Sequence, residues 1–198
     1  MNDDLVIADA HSDHIGVPRP QEETKLETVV LVNEHDQPVG TCERMAAHKD
    51  GKLHRAFSVF VLNSSQQLLL QRRTPSKYHS RGLWSNTCCG HPRPGESIKE
   101  ASRRRLAEEM GFDSELRRLF GFVYRTELED GLVEYEYDHV LLGQFDGTPN
   151  PDENEVCEWR WTDLQVVSTN LDERPESYTY WFRLSFCRFL ESLIGCEE

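Results

Sequence analysis

The chain is short of positive charge. Its 198 residues hold 22 Lys+Arg against 35 Asp+Glu, a formal net charge of −13. A general nucleic-acid binder wants a basic surface, and a peripheral anchor on an anionic membrane wants clustered Lys/Arg; the composition excludes both classes. Long apolar runs are missing as well. Mean hydropathy is −0.64, and no stretch approaches the roughly 18 apolar residues of a spanning helix. The first ten residues carry Asp3 and Asp4, with neither a basic start nor an apolar core of roughly 7–15 residues, so no signal peptide is expected. Regular cysteine spacing is absent too. Cys42, Cys88, Cys89, Cys157, Cys187 and Cys196 fall irregularly, which predicts reduced, mostly buried thiols in a cytoplasmic protein. There is no internal repeat and no low-complexity segment. The net charge still leaves room for a local basic slot that takes a small anion.

What is present reads as an α+β protein. Residues 1–25 mix His11, Asp13, His14, Pro18, Pro20, Glu22 and Glu23, a polar composition that predicts a mobile arm ahead of a folded domain over 26–198. Residues 27–32 are rich in β-branched side chains and lead through a polar turn to a short strand over 39–42. Residues 56–62 and 68–73 flank Asn63-Ser64-Ser65-Gln66, which predicts a second hairpin. From Arg73 to Glu96 runs a Gly/Pro-rich stretch, and loops of that length are usually functional. Ser97-Ile98-Lys99-Glu100 fits a capping box. Good helix formers follow over 101–110, and Gly111 suits the helix end. Residues 119–127 and 132–142 read as paired strands, 157–161 as another strand, and 176–194 as a terminal helix from its apolar spacing.

Three groups of residues could carry chemistry. The first is Gly90-x5-Glu96-x7-Arg104-Arg105-Leu106-x-Glu108-Glu109-x-Gly111. It puts a loop before a helix with carboxylates on successive turns, and of Glu108 and Glu109 at least one must face a neighbouring strand. Such carboxylates suit a hard cation beside phosphate oxygens. A Glu-Glu pair alone is more often a solvated helix face; the whole spacing is far more specific. The second group is His48, His54 and His91 with Glu134 and Glu136. Strand spacing points both carboxylates to one face, while Val133, Tyr135 and Tyr137 mark the other as buried or aromatic. The spacing from His48 to His54 predicts a loop entering a strand, and three imidazoles with two carboxylates suit Mn²⁺ or Zn²⁺. His11, His14, His35, His79 and His139 read as ordinary residues. The third is Asn86-Thr87-Cys88-Cys89-Gly90-His91-Pro92, where a cysteine beside a metal ligand is a candidate acid, base or nucleophile whose pKa metal charge would lower.

The first pattern resembles the Nudix box, except that Arg105 stands in place of the first Glu of its R-E-U-x-E-E core. That exchange removes a metal ligand and adds a guanidinium fork that grips phosphate oxygens. It argues for binding a diphosphate without cleaving it. Trp84-Ser85-Asn86-Thr87-Cys88-Cys89-Gly90-His91-Pro92, Ala46-Ala47-His48, Leu53-His54-Arg55-Ala56-Phe57-Ser58, Arg72-Arg73-x3-Lys77, Tyr124-Arg125, Glu134-x-Glu136 and Trp181 together resemble type I isopentenyl-diphosphate isomerase of the Nudix superfamily. The resemblance runs from about residue 27 to about 189.

The resemblance implies a mixed β-sheet sandwiched between helices. It implies isomerisation of isopentenyl diphosphate to dimethylallyl diphosphate through a tertiary carbocation, with a Nudix-type diphosphohydrolase as the alternative. It implies Cys89 and Glu136 as the catalytic pair, with Tyr124 in the proton path. It implies His48, His54, His91, Glu134 and Glu136 as ligands of Mn²⁺ or Zn²⁺. Glu109, with the backbone carbonyl of Cys89, would hold a Mg²⁺ that the diphosphate also touches. Arg73, Lys77 and Arg105 would bind the diphosphate, and Arg44 stands where many relatives carry a substrate-facing Lys. Trp181 would lay its indole against the cation, or pack in the core. The expected partner is a small isoprenoid diphosphate, with no nucleic acid and no membrane. The chain would be a monomer or a weak dimer.

Overall fold

A computed structural model describes residues 27–77 and 79–194. The expected N-terminal arm and Cys196 lie outside the described residues. The chain runs β1 (Thr28–Val32), β2 (Pro38–Glu43), α1 (Arg44–Asp50), β3 (His54–Leu62), β4 (Gln67–Arg73), β5 (Trp84–Ser85), β6 (Cys88–Gly90) and α2 (Ile98–Met110). It continues with β7 (Arg117–Glu127), β8 (Val133–Gln144), β9 (Val156–Asp163), α3 (Leu164–Glu173) and α4 (Tyr180–Ile194). Short 3₁₀ turns at Glu129–Gly131 and Pro175–Ser177 precede β8 and α4.

The strands form one mixed, branched sheet with β3 at its hub. β3 runs parallel to β8 along its whole length, from His54 opposite Glu136 to Leu62 opposite Gln144. It takes β6 antiparallel on its other side. The hairpin expected between β3 and β4 has little ladder, for these strands are matched only at Leu62 and Leu68. β4 pairs instead with β9. The two segments are consecutive, but each finds a longer partner far away in sequence.

Alternation along β3 then sorts the two layers. Phe57, Val59 and Val61 face α2 and pack with Ala101, Leu106 and Met110. Phe60 and Leu62 face α4 and pack with Phe182, Phe186 and Phe189. The sheet thus lies between helices, as the resemblance implies for a Nudix-like α+β fold.

The α2 signals are borne out. Ser97 Oγ accepts from the Glu100 amide, and Glu100 Oε2 accepts from the Ser97 amide at 2.9 Å. Gly111 has φ +74°, and a Cβ there would meet the Asn150 carbonyl at 2.2 Å, so glycine is required twice over. Four elements are corrections. His48 lies on a helix, α1, rather than a loop, because Glu43 caps it by accepting from the Met45 and Ala46 amides. β5 and β6 lie inside the Gly/Pro-rich stretch, and α3 follows β9 directly. On β8 it is the acidic face that is buried: Glu134, Glu136 and Asp138 are 3%, 7% and 1% exposed, while Val133, Tyr135 and Tyr137 are only half-buried. The thiols differ as well, since Cys157 and Cys187 are exposed and only Cys88 is fully buried among the five described cysteines.

Candidate active site

Register at the start of β3 builds the site. His54 stands opposite Glu136 and Ala56 opposite Asp138 on β8. Ser58 stands opposite Cys89 on β6, and Tyr124 on β7 stands opposite Glu136. These side chains therefore share the α4 face, while Cys88, one residue away, points to α2 and joins the apolar cluster there. α1 supplies His48, the loop after β6 supplies His91, and the first turn of α4 supplies Trp181. They surround a cavity of about 400 Å³. Every residue expected in the site lines it except His54, which is fully buried at 3.5 Å from Glu136.

His48, His54, His91 and Glu136 bring one ligand atom each to within 4.8 Å of one another. Glu134 does not join this group; it groups with His48 and His79. His48 Nδ1 donates to the Arg44 carbonyl at 2.9 Å, and His54 Nδ1 donates to the Lys52 carbonyl at 2.8 Å. Each bond fixes the ring and turns the unprotonated Nε2 inward, the usual support of a metal-binding imidazole. His54 Nε2 is buried with no hydrogen-bond partner. Its 3.5 Å separation from Glu136 Oε1 is too long for a hydrogen bond. It fits the edge of a tetrahedron with roughly 2.0–2.2 Å metal bonds, about 3.4 Å. His91 Nε2 lies 3.0 Å from the same oxygen. Burial, then the other histidines, hold His48 down at about 4, and burial lowers His91 as well. Neutral imidazoles are what a transition metal requires.

The two glutamates are driven apart. Burial, then the charge of Glu136, push Glu134 well above the usual carboxylate range. Burial would also raise Glu136, but His54 and His91 overcome it and hold this carboxyl well below that range. Tyr124 bridges the pair, donating to Glu136 Oε2 at 2.6 Å with Glu134 Oε2 at 3.2 Å. Environments that separate two neighbouring carboxyls in this way mark acid–base sites.

Cys89 meets three polar groups. Its Sγ donates to Asn86 Oδ1 at 3.1 Å, accepts from Trp181 Nε1 at 3.1 Å, and lies 3.8 Å from Ser58 Oγ. Ser58 in turn donates to Asp138 Oδ2 at 2.8 Å. Burial, then the carboxylates of Asp138 and Glu109, push the thiol up to about 12. The protein's own groups thus act against the lowering expected from metal charge, and the thiol keeps its proton at neutral pH. Trp181 is both buried and bonded to Cys89, so it packs and faces the site at once. The Arg73 guanidinium lies 5.3 Å from its ring centre.

At the other end of the cavity the expected diphosphate clamp is held by acids. Glu155 pairs with Lys77 and lies 3.4 Å from Arg105. Arg105 also pairs with Glu109 and with Glu108 at 2.9 Å. Gln71 Nε2 donates to Glu109 Oε2 at 3.1 Å. Glu96 grips Arg104 with both oxygens, at 2.7 and 2.8 Å, and so ties the loop to α2. Arg44 pairs with Glu27 at the rim. Sequence reasoning missed Ser58, His79, Asp138 and Glu155. Asp138 continues the alternation of Glu134 and Glu136, and Ser58 that of His54, so these two were within reach. His79 and Glu155 carried no local signal.

A family model described as "NUDIX domain" matches residues 52–182. The chain is 52% identical over 170 residues to "Isopentenyl-diphosphate Delta-isomerase 2" of Aromatoleum aromaticum, covering 86% of this chain and 88% of that one. It is 53% identical over 156 residues to "Isopentenyl-diphosphate Delta-isomerase" of Burkholderia multivorans, covering 79% and 89%. Among solved structures, a protein from Deinococcus radiodurans matches with a TM-score of 0.69 at 24% identity, over 82% of this chain and 98% of that one. A MutT protein from Methanosarcina mazei matches with a TM-score of 0.59 at 22% identity, over 70% and 94%. At those identities the structures speak to the fold alone.

Proposed function

The chain belongs to the Nudix superfamily and, within it, to the isopentenyl-diphosphate isomerases, and from that premise we propose that Cys89 and Glu136 are the acid–base pair that moves the double bond. The enzyme converts isopentenyl diphosphate into dimethylallyl diphosphate. A proton adds to the terminal CH₂ of the alkene and leaves a tertiary cation at C3. Loss of a proton from C2 then forms the new double bond. Two groups are needed, one to give a proton and one to take one.

One observation carries the assignment. Cys89 and Glu136 reach the same cavity from strands on opposite flanks of β3, each with an aromatic donor on it, Trp181 N–H on the thiol and Tyr124 O–H on the carboxylate. The protonated thiol and the ionised carboxylate hold one proton between them. After a turnover the donor lacks its proton and the acceptor has gained one, so the pair must be reset. Once product leaves, solvent returns a proton to the thiol, and Tyr124, bonded to Glu136 and near Glu134, relays away the proton that Glu136 gained. The Trp181 indole stabilises positive charge at C3; such contacts reach about 2 kcal/mol when desolvated. Walls of Tyr124 and Trp181, both buried, keep water from the cation.

The family depends on divalent metal, and the donor set fits one. His48, His54, His91 and Glu136 would hold Mn²⁺ or Zn²⁺, with Glu134 at its side. Glu109 and the Cys89 carbonyl would hold Mg²⁺ together with diphosphate oxygens, the way Mg²⁺ usually binds, through few protein ligands and the substrate. When bound, these ions neutralise the diphosphate and fix the geometry of Glu136. Arg73, Lys77 and Arg105 complete the anion pocket, and the substrate's phosphates displace Glu155 from Lys77 and Arg105. Arg44 lines the same cavity. Among the described residues no helix is long and apolar enough to cross a membrane, and the reading places the enzyme in the cytoplasm.

Proton NMR of isopentenyl diphosphate with enzyme and Mg²⁺ in deuterated water tests the chemistry. Deuterium appears in the new methyl group of dimethylallyl diphosphate. Release of phosphate from nucleoside diphosphate compounds, with no isomer formed, would instead establish the diphosphohydrolase alternative. Arg105 argues against that outcome, because a guanidinium stands where hydrolysis wants a ligand carboxylate.

A further inference from the structure

We propose that Ala56 is a specificity-determining residue, whose methyl group is the floor under the substrate carbons that exchange protons. The inference rests on the assignment of Cys89 and Glu136 as the acid–base pair, and it names the side chain that measures the alkene held between them.

β3 lies between β6 and β8, so its α4 face runs under the line from Cys89 to Glu136. Cys89 stands opposite Ser58, and Glu136 stands opposite His54. Neighbouring strands lie about 4.8 Å apart, which puts β6 and β8 roughly 10 Å apart across β3. Alternation leaves one side chain of this face midway between Ser58 and His54, and it is Ala56. Although only 3% exposed, Ala56 lines the cavity.

The other side chains of that face are engaged elsewhere. His54 is fully buried, turned to Glu136, and does not line the cavity. Phe60 and Leu62 join the α4 core. Asp138, opposite Ala56, accepts from Ser58 Oγ at 2.8 Å and does not reach the cavity wall. The β6 ladder ends at Gly90, opposite Phe57, and the chain leads on to His91, which meets Glu136 at 3.0 Å. A methyl group is thus what β3 raises between the acid and the base. The aromatic walls are fixed, Trp181 by its bond to Cys89 and Tyr124 by its bond to Glu136. The size of residue 56 therefore decides the height of the slot.

C3 and the three carbons attached to it lie in one plane, in the alkene and again in the cation. An edge of that flat group rests on the Ala56 methyl. Bulk added at residue 56 lifts the group off the line between Cys89 and Glu136. Removing the methyl leaves room for one more carbon on the substrate, and a methylene in an apolar slot is worth about 10–200-fold.

Ala56→Val and Ala56→Gly test this beside wild type and Cys89→Ala. Each is assayed with isopentenyl diphosphate and with two homologues one carbon larger, 3-ethylbut-3-enyl diphosphate and (E)-3-methylpent-3-enyl diphosphate. Valine favours strands; circular dichroism reads the fold, and Mn²⁺ binding reads the histidine cluster. A56V lowers kcat/KM for isopentenyl diphosphate by at least about 100-fold, yet binds Mn²⁺ and magnesium pyrophosphate within about threefold of wild type. A56G raises kcat/KM for at least one homologue, relative to isopentenyl diphosphate, by at least about tenfold. Should A56V lose its fold or its Mn²⁺, the A56G comparison decides alone. Isopentenyl diphosphate turnover by A56V close to wild type, or no relative gain for either homologue in A56G, overturns the role of Ala56 while C89A stays inactive. Near-normal turnover by C89A overturns the acid–base pair instead.

Discussion

Cys88 and Cys89 share a peptide bond and face opposite sides of the sheet. On the α2 side, Cys88 is fully buried among Phe57, Val59, Ala101, Leu106 and Met110. On the α4 side, Cys89 meets Asn86, Ser58 and Trp181 at the wall of a polar cavity. The same contrast runs along β3. Its odd residues from Phe57 to Val61 are apolar and closed over by α2. Its even residues change from His54 and Ser58 at one end to Phe60 and Leu62 at the other. A single strand thus serves a dry core on one face and, on the other, half a core and half a reaction chamber. The dry face holds the register, and the register decides which side chains meet in the chamber.

The largest expected effect breaks this contrast at its reactive end. Cys89→Ala and Glu136→Gln each remove one member of the acid–base pair. A positioned acid or base contributes typically about 10²–10⁴-fold, so turnover of isopentenyl diphosphate should fall by at least about 10³-fold in each. Far-UV circular dichroism should stay unchanged. Near-normal turnover in either variant would refute its catalytic role.

How much of this was legible in the chain follows from the range of the forces involved. The α2 helix was readable because its capping box and terminal glycine are local. The pairing of β7 with β8 was readable because Asp130-Gly131 lies between them. β5 and β6 were hidden because each is only two or three residues long and is held by strands far away in sequence. α1 was hidden because its cap is Glu43, a residue that does not announce a helix start. In the site, strand parity placed Glu134 and Glu136 on one face correctly. It did not reveal that this face is the buried one, since Tyr135 and Tyr137 look more apolar than two glutamates do. Only the histidines gathered from α1, β3 and two loops make burial of those carboxyls tolerable. Glu155 was silent for a related reason. It acts on Lys77 and Arg105, which come from elements 78 and 50 residues away in the chain.

The next prediction sharpens the contrast through proton uptake, because most of the buried groups that titrate lie on the α4 side, His139 on the opposite face being the exception. His48, His79 and His139 are depressed to about 4, 3 and 4, and His91 is lowered too, burial leading in each case. A histidine whose folded pKa lies below its unfolded value of about 6.5 stabilises the fold above that value, and loses the effect as pH falls toward the folded pKa. Glu134 is raised, and Asp138 is raised to about 8, by burial and then by Glu136. Raised carboxyls act oppositely: their contribution is complete below an unfolded pKa near 4 and is lost as pH climbs to the folded value. Between pH 4 and 6.5 four histidines outweigh two carboxyls. Above pH 6.5 only the carboxyls still titrate. The melting temperature of metal-free protein should therefore peak near pH 6.5 and fall by several degrees at both pH 5 and pH 8. A melting temperature that rises steadily from pH 6.5 to 8 would contradict the buried, raised carboxyls.

The smallest effect belongs to Cys88→Ala, and it completes the comparison from the inert side. Cys88 meets the site through a weak thiol hydrogen bond, 3.8 Å from its sulfur to the Cys89 carbonyl oxygen, and through its neighbour Glu109. Its main role is to fill space in the α2 layer, where free cysteine behaves as a small hydrophobe. Removing one buried sulfur opens a small cavity and costs about 1 kcal/mol. In a domain of this size that lowers the melting temperature by roughly 2–4 °C. Turnover and the dependence on Mg²⁺ should stay within about threefold of wild type, since Cys89, Glu136 and the register of β6 on β3 are untouched. A loss of turnover comparable to that of Cys89→Ala would mean that the two thiols act together, and that alternation along β6 does not separate chemistry from packing.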